Sequence, residues 1–286
     1  MKPDNNLIAY IAIMALASFE GCKANNTQIS NGDKSLEGRL TSSVGQYDYG
    51  NSMVRSEHVN MMTNCVAKFN QKTKFNLEAY IGNNKVEDKP GISRGWGSGI
   101  VLKYGERFYM LTANHVVEKM KDRTINAQIG TTNLKLKFNI KENKSYVQLN
   151  QYGFKCKTIA DDTANDLSLL LLDVPKGVEV PYFNGKIGEY DKIGRANITY
   201  VVGYPGEFGK IITQGIISGE SNNYIISSAP INPGNSGGPM YLLEKGNPVL
   251  IGITSVTWKN EQLINGFIGV DKIRDLLKRA GLGENG

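Results

Sequence analysis

A chain of 286 residues that is 40% hydrophobic and 21% charged carries enough apolar material for one large or two small folded domains, which excludes a wholly disordered chain. Its net charge is +6, yet the basic residues form no dense run and no nucleic-acid motif accompanies them, so no nucleic acid is expected as a partner. The three cysteines do not stand at metal-ligand spacing, and no metal is expected.

Met1 to Cys22 reads as an export signal. Lys2 is a weak basic start, and Leu7 to Phe19 is an uncharged apolar run. That run is shorter than the about 20 residues of a membrane span and fits the apolar core of a signal peptide. Two endings stay open. Ala15-Leu16-Ala17 is a small-x-small cleavage site, whereas Phe19-Glu20-Gly21-Cys22 resembles a lipoprotein box with Cys22 as lipid anchor. That anchor is the only membrane contact expected. Residues 23–53 are polar and aperiodic and read as a tether.

A folded domain is expected over 54–286. From Val54 to Phe69, apolar residues recur at helical spacing, with His58 on the same face. Cys65 and Cys156 either pair in an oxidising compartment or remain free thiols, and their positions in the sequence suit both. Short apolar runs follow, punctuated by Gly and Pro. A first set over about 77–175 includes Gly97 to Leu102, Arg107 to Leu111 and Leu167 to Leu172. A second set over about 183–269 includes Ile198 to Val202, Gly215 to Ser218, Tyr224 to Ile226, Met240 to Leu243 and Val249 to Ile253. Two such sets predict an all-β double barrel. Val270, Ile273, Leu276, Leu277 and Ala280 then mark one face of a closing helix over about 270–281, with Gly281 as its stop.

Three segments carry chemistry. Gly234-Asn235-Ser236-Gly237-Gly238-Pro239 puts a hydroxyl on a glycine turn that a carbonyl substrate can approach closely. Such a serine needs a base, and His115 lies in Leu111 to Val117 of the first set. An acid to orient the imidazole is offered by Asp166, ahead of the Leu167 run, with Asp161 and Asp162 as rivals. The order His115, Asp166, Ser236 is that of the chymotrypsin-type triad. An α/β-hydrolase elbow is excluded, because a strand-like run rather than a helix follows Ser236 and no histidine lies downstream.

These segments resemble the active-site segments of trypsin-like serine proteases. Gly97-Ser98-Gly99-Ile100, Gly203-Tyr204-Pro205, Gln214 to Ser218, Ile231 to Pro239 and Gly266-Phe267-Ile268 are similar to the bacterial HtrA (Do-like) proteases in order and spacing. The resemblance spans roughly Gly91 to Leu277 and is to the protease domain without a PDZ domain. Asn114 departs from it, standing where a small residue is usual.

The resemblance implies a chymotrypsin-like pair of six-stranded barrels and a serine endopeptidase. His115 is then the general base, Asp166 its orienting carboxylate and Ser236 the nucleophile. The N–H groups of Gly234 and Ser236 form the oxyanion hole, and Ile253-Thr254-Ser255-Val256 pairs with the substrate backbone. It also implies polypeptide substrates in extended or unfolded form, no cofactor and export to the bacterial envelope, with secretion left open; it offers a trimer as one option and leaves the oligomeric state open. Pro230, six residues before Ser236, stands at the P1-pocket floor beside Ile231, which predicts small uncharged P1 residues. Asn235 lacks the charge by which trypsin-like zymogens pair this position with a new N-terminus. Two other classes stay open: a binding or chaperone-like protein on a protease fold, and a glutamyl endopeptidase of the staphylococcal V8 type, though Thr254 to Trp258 lacks the histidine expected of that group.

Overall fold

Alternation of inward apolar and outward polar residues drives most of the chain into antiparallel strands. The computed structural model describes residues 55–129, 131–257 and 263–283. The expected export signal, Cys22 and the tether lie outside them. By contacts the chain forms two units: residues 70–95 with 118–145, and the remainder of the described residues.

In chain order the first set of strands is β1 (Val66–Ile81), β2 (Asn84–Tyr104), β3 (Arg107–Ala113), β4 (Arg123–Ile129), β5 (Thr132–Leu149), β6 (Tyr152–Asp162) and β7 (Leu167–Asp173). They are joined in the order β1-β2-β3-β7-β6-β5, and β5 pairs back with β1, so six strands close and β4 adds to β5 as a seventh. The second set is β8 (Lys186–Ile187), β9 (Ile198–Gly203), β10 (Ile211–Ser221), β11 (Tyr224–Ser227), β12 (Pro239–Glu244), β13 (Asn247–Thr257) and β14 (Asn265–Gly269). Here the ring is β12-β9-β10-β11-β14-β13, closed by β12 on β13, with β8 parallel on β13. The fold is therefore the expected pair of six-stranded antiparallel barrels, and closure leaves few open edges.

The smaller unit has its own apolar centre. Phe75, Leu77 and Ala79 of β1 alternate inward and cluster with Leu134, Leu136 and Phe138 of β5. In the larger unit Val101, Met110, Val147, Phe154 and Leu170 fill the first barrel, and Val201, Ile217, Ile225, Met240, Ile251 and Phe267 fill the second. A third cluster joins Leu111, Leu167 and Leu169 of the first barrel to Val202, Tyr241 and Ile253 of the second. Helix α3 (Val270–Arg279; labels α1 to α3 follow chain order) adds Ile273, Leu276 and Leu277 to it.

The N-terminal element differs from expectation. Helix α1 spans Ser56–Asn64 only, and β1 begins at Val66. Barrel strands thus start about ten residues earlier than the sequence pattern predicts, and Phe69 is a strand residue. The reason is tertiary: the Cys65 carbonyl accepts the Val101 N–H at 2.8 Å, so the chain joins β2 at the point where another helical turn would need that group. His58 serves the helix start, its Nδ1 accepting the Arg55 N–H at 3.2 Å. Cys65 and Cys156 do not pair in a disulfide. Burial pushes the Cys65 thiol up to about 11, against hydrogen bonding with Tyr241.

Candidate active site

All the residues of the candidate site lie in the larger unit. β3 ends at Ala113 and runs directly into α2 (Asn114–Val117), one turn that carries His115. Asp166 immediately precedes β7, which pairs with β3 so that Ala113 faces Leu167. Adjacent strand ends thus bring base and acid together. His115 Nδ1 lies 2.8 Å from Asp166 Oδ2, and the His115 backbone N–H donates to Asp166 Oδ1 at 2.9 Å. Asn114 N–H donates to the Asp166 carbonyl at 2.9 Å, and Asn114 Oδ1 accepts the Ser168 hydroxyl at 2.8 Å. That bond gives Asn114 a local role where the family has a small residue.

Burial of Asp166 pushes its carboxyl up, but the hydrogen bonds and charge of His115 and the Ser255 hydroxyl outweigh this and hold it below the ordinary carboxylate value. An ionised carboxylate only accepts, so His115 Nδ1 carries the hydrogen and Nε2 presents a lone pair. Nε2 is buried and makes no hydrogen bond among the described residues. The rivals are engaged elsewhere. Asp162 accepts Asn165 at 3.0 and 2.9 Å and Arg279 of α3 at 2.5 Å, and Asp161 accepts the Thr163 hydroxyl at 3.3 Å.

The Ser236 turn is held against these elements by main-chain bonds. Ser98 N–H donates to the Ser236 carbonyl at 2.8 Å, and Gly237 N–H donates to the Thr254 carbonyl at 2.7 Å. Gly237 has φ +83°, and a Cβ there would lie 2.0 Å from Thr112 Oγ1, just ahead of α2. At Gly97 a Cβ would meet Val116 Cγ1 at 2.5 Å and the Ser236 carbonyl at 3.1 Å. Residue 116 and the Ser236 backbone therefore flank the same glycine, which puts the serine turn against the His115 turn. The Ser236 side is buried, at 6% exposure, and Gly234 has φ +99°.

Two residues take roles that the sequence did not give them: Ser98, which it left without one, and Ser255. Ser98 Oγ donates to the Gly234 carbonyl at 2.7 Å and accepts the Tyr204 N–H at 2.8 Å. Its only sequence signal was a place in Gly97-Ser98-Gly99. Ser255, expected on the substrate strand, gives its hydroxyl to Asp166 Oδ2 at 2.6 Å. A bulge in the β13–β14 ladder falls between Thr254 and Val256 and aims it there.

The other expected substrate contacts fare unevenly. Thr254 is buried, and both its N–H and its carbonyl are taken by Gly238 and Gly237. Its backbone holds the serine turn, so of Ile253 to Val256 the part left for a substrate begins at Ser255. Past Ile253, where pairing with β12 stops, β13 has β14 on one side and no strand on the other among the described residues. Ile231 and Val256 are half-buried, whereas Pro230 is exposed. A pocket floor is enclosed, so Pro230 reads better as rim. Its carbonyl accepts the Thr213 hydroxyl at 2.8 Å. Ser227, Thr199 and Asn265 are buried polar groups: the Thr199 and Ser227 hydroxyls bond to each other, Ser227 Oγ accepts the Ala229 N–H, and Asn265 Nδ2 donates to the Ala229 carbonyl. Asn235 is 3% exposed, with Oδ1 unpartnered among the described residues. A carboxylate there would be a buried unpaired charge, which accounts for the neutral residue.

A double antiparallel barrel that gathers His, Asp and Ser in this chain order is the architecture of trypsin-like peptidases. The chain belongs to that family: the model of the trypsin-like peptidase domain matches residues 97–253, more than half of its length. It is similar to a Haemophilus influenzae protein named as a probable periplasmic serine protease, do/HhoA-like, with 30% identity over 173 residues, 57% of this chain and 31% of that one. It is also similar to the periplasmic pH-dependent serine endoprotease DegQ of Escherichia coli, with 28% identity over 195 residues, 65% of this chain and 36% of that one. The chain thus spans about a third of the length of these relatives. Among solved structures it matches a serine endoprotease from Yersinia pestis at a TM-score of 0.53, with 19% identity over 78% of this chain and 65% of that one. The HtrA-type protease AlgW gives the same TM-score at 21% identity, covering 78% of this chain and 66% of that one. At such identities the likeness is one of fold.

Proposed function

We propose that this protein is a serine endopeptidase that cleaves extended or unfolded polypeptides through an acyl-enzyme, in the bacterial envelope. The observation that carries the reading is the His115 ring, tethered through Nδ1 to an ionised Asp166, with Nε2 buried and unpartnered beside the Ser236 turn. His115 takes the Ser236 proton as Oγ attacks the scissile carbonyl, then returns it to the leaving amine. Asp166 fixes the tautomer and stabilises the imidazolium. The N–H groups of Gly234 and Ser236 receive the oxyanion, each such donor lowering the barrier by about 3–4 kcal/mol in related chemistry. The open side of β13 past Ile253 supports substrate addition as an antiparallel strand.

The P1 pocket is bounded by Ile231 and the Ser255-Val256 segment, with Pro230 at its rim and neutral Ser227, Thr199 and Asn265 behind. A cationic P1 side chain needs a buried carboxylate and an anionic one needs a cation, so uncharged residues such as Val, Ala, Ile or Leu are favoured. The periplasmic names of the relatives support export of this chain too.

Labelling by a fluorophosphonate probe tests the reading. Wild type is expected to label and Ser236→Ala is not. Peptide hydrolysis by Ser236→Ala at the wild-type rate would refute this triad, and a peptide-library digest dominated by cleavage after Lys, Arg or Glu would refute the pocket.

A further inference from the structure

On its Gly234 side the Ser236 turn makes a further set of bonds, besides those to β2 and β13. Its bonds lead outward to one connection, residues 204–210 between β9 and β10. Gly206 N–H donates to the Pro233 carbonyl at 3.0 Å, and Trp96 Nε1–H donates to the Tyr204 carbonyl at 3.2 Å. That carbonyl lies so close to Gly234 that a Cβ on Gly234 would be 2.3 Å from it. Tyr204 N–H and the Gly234 carbonyl share Ser98 Oγ, at 2.8 and 2.7 Å.

Its two glycines make the connection costly to order. Gly206 and Gly209 hold φ of +54° and +79°, and glycine has the most backbone freedom to lose on ordering. Two side chains tie its other face to the junction of α1 and β1. Lys210 Nζ donates to the Thr63 carbonyl at 2.7 Å, and Tyr204 OH donates to the Val66 carbonyl at 3.3 Å. Lys210 Nζ also lies 5.7 Å from the Tyr204 ring centroid. Helix α1 has no basic residue in its last turn, so Lys210, distant in sequence, meets the carbonyl end and partial negative charge of that helix, sharing the Thr63 carbonyl with the Cys65 N–H.

We propose that Lys210 and Tyr204 are positioning residues for the Ser236 turn: by fastening the 204–210 connection to the α1–β1 junction they hold Gly234 in the conformation the reaction uses. The catalytic part of this inference rests on the peptidase reading above. Neither residue touches the reacting atoms. Their effect runs through the Gly206–Pro233 bond and the shared Ser98 hydroxyl.

The test uses the full chain with Lys210→Met, Tyr204→Phe and Lys210→Arg. Fluorophosphonate labelling rate, kcat and KM are measured beside amide hydrogen exchange over residues 230–240. In Lys210→Met, labelling rate and kcat are expected to fall about 10- to 100-fold with KM within about twofold, as for a reacting group displaced by a fraction of an ångström. Exchange at 230–240 rises, and Lys210→Arg recovers most of the loss. Wild-type kcat, labelling and exchange in a folded Lys210→Met protein would overturn the inference. So would a loss confined to melting temperature. Failure of wild type to label or hydrolyse, with the exchange difference present, would sink the peptidase reading and leave the clamp supported.

Discussion

Asp166 occupies the left-handed region at φ +54°, uncommon for a residue with a side chain. Bonds from Asn114 N–H, His115 N–H, the imidazole and Ser255 Oγ hold it there, so the conformation is over-determined by its surroundings. Asp166→Asn preserves volume but replaces an acceptor with an amide that can donate, which favours the wrong imidazole tautomer. Its kcat is expected to drop about 10³- to 10⁴-fold with the fold retained, as in related triads, and a loss under tenfold would argue against the assigned role. Ser255→Ala deletes one donor to a partly buried carboxylate. A loss of about 1–2 kcal/mol in urea-unfolding stability is expected, together with a smaller fall in kcat than Asp166→Asn gives. An unchanged denaturation midpoint would show that bond to contribute nothing.

At the scale of elements, the site depends on short segments that end strands at set points. β3 stops at Ala113 so that α2 can turn His115 toward β7, and the serine turn is pinned from both sides by β13 and by Ser98 of β2. Gly237 is the tightest point. A side chain there meets Thr112 and the Ser98 carbonyl at 2.0 and 2.2 Å, at a φ that side-chain-bearing residues rarely adopt. Gly237→Ala is therefore expected to destabilise by about 2–4 kcal/mol and to abolish fluorophosphonate labelling. A variant that melts and labels like wild type would mean the turn has room to move. Bulges belong to this scale as well: one extra residue in β13 turns Ser255 from a strand position into a partner for Asp166.

For the molecule as a whole, acid is the informative perturbation. Asp166 and Asp162 both have carboxyls held below the ordinary value. In each case burial pushes up and hydrogen bonding and charge, from His115 and Ser255 or from Asn165 and Arg279, push down harder. A depressed folded-state value means fewer protons bound folded than unfolded. The stability these groups supply is complete above the unfolded carboxylate value of about 4 and is lost as pH falls through the lower folded values. Thermal midpoints are expected to decline progressively below about pH 4, and the decline should be shallower in Asp166→Asn. Equal slopes in the two proteins would contradict this assignment.

The sequence by itself determined the fold class, because strand-length apolar runs broken by Gly and Pro, followed by one helical stripe, are local signals of period and turn chemistry. His115, Asp166 and Ser236 were legible as candidates for a similar reason: their residue types, flanking glycines and chain order are all local features. The length of β1 and the early end of α1 were not, since Val66 joins a sheet only because β2 is there to receive the Cys65 carbonyl. Pro230 was placed at a pocket floor by counting back from Ser236, and counting along a chain cannot register that this residue is exposed. Ser98 with Gly234, Ser255 with Asp166 and Lys210 with Thr63 are pairs 136, 89 and 147 residues apart. Nothing near any of these residues in the chain announces its partner. Hydrogen bonds between segments so distant exist only once both barrels have closed, and only the tertiary structure decides them.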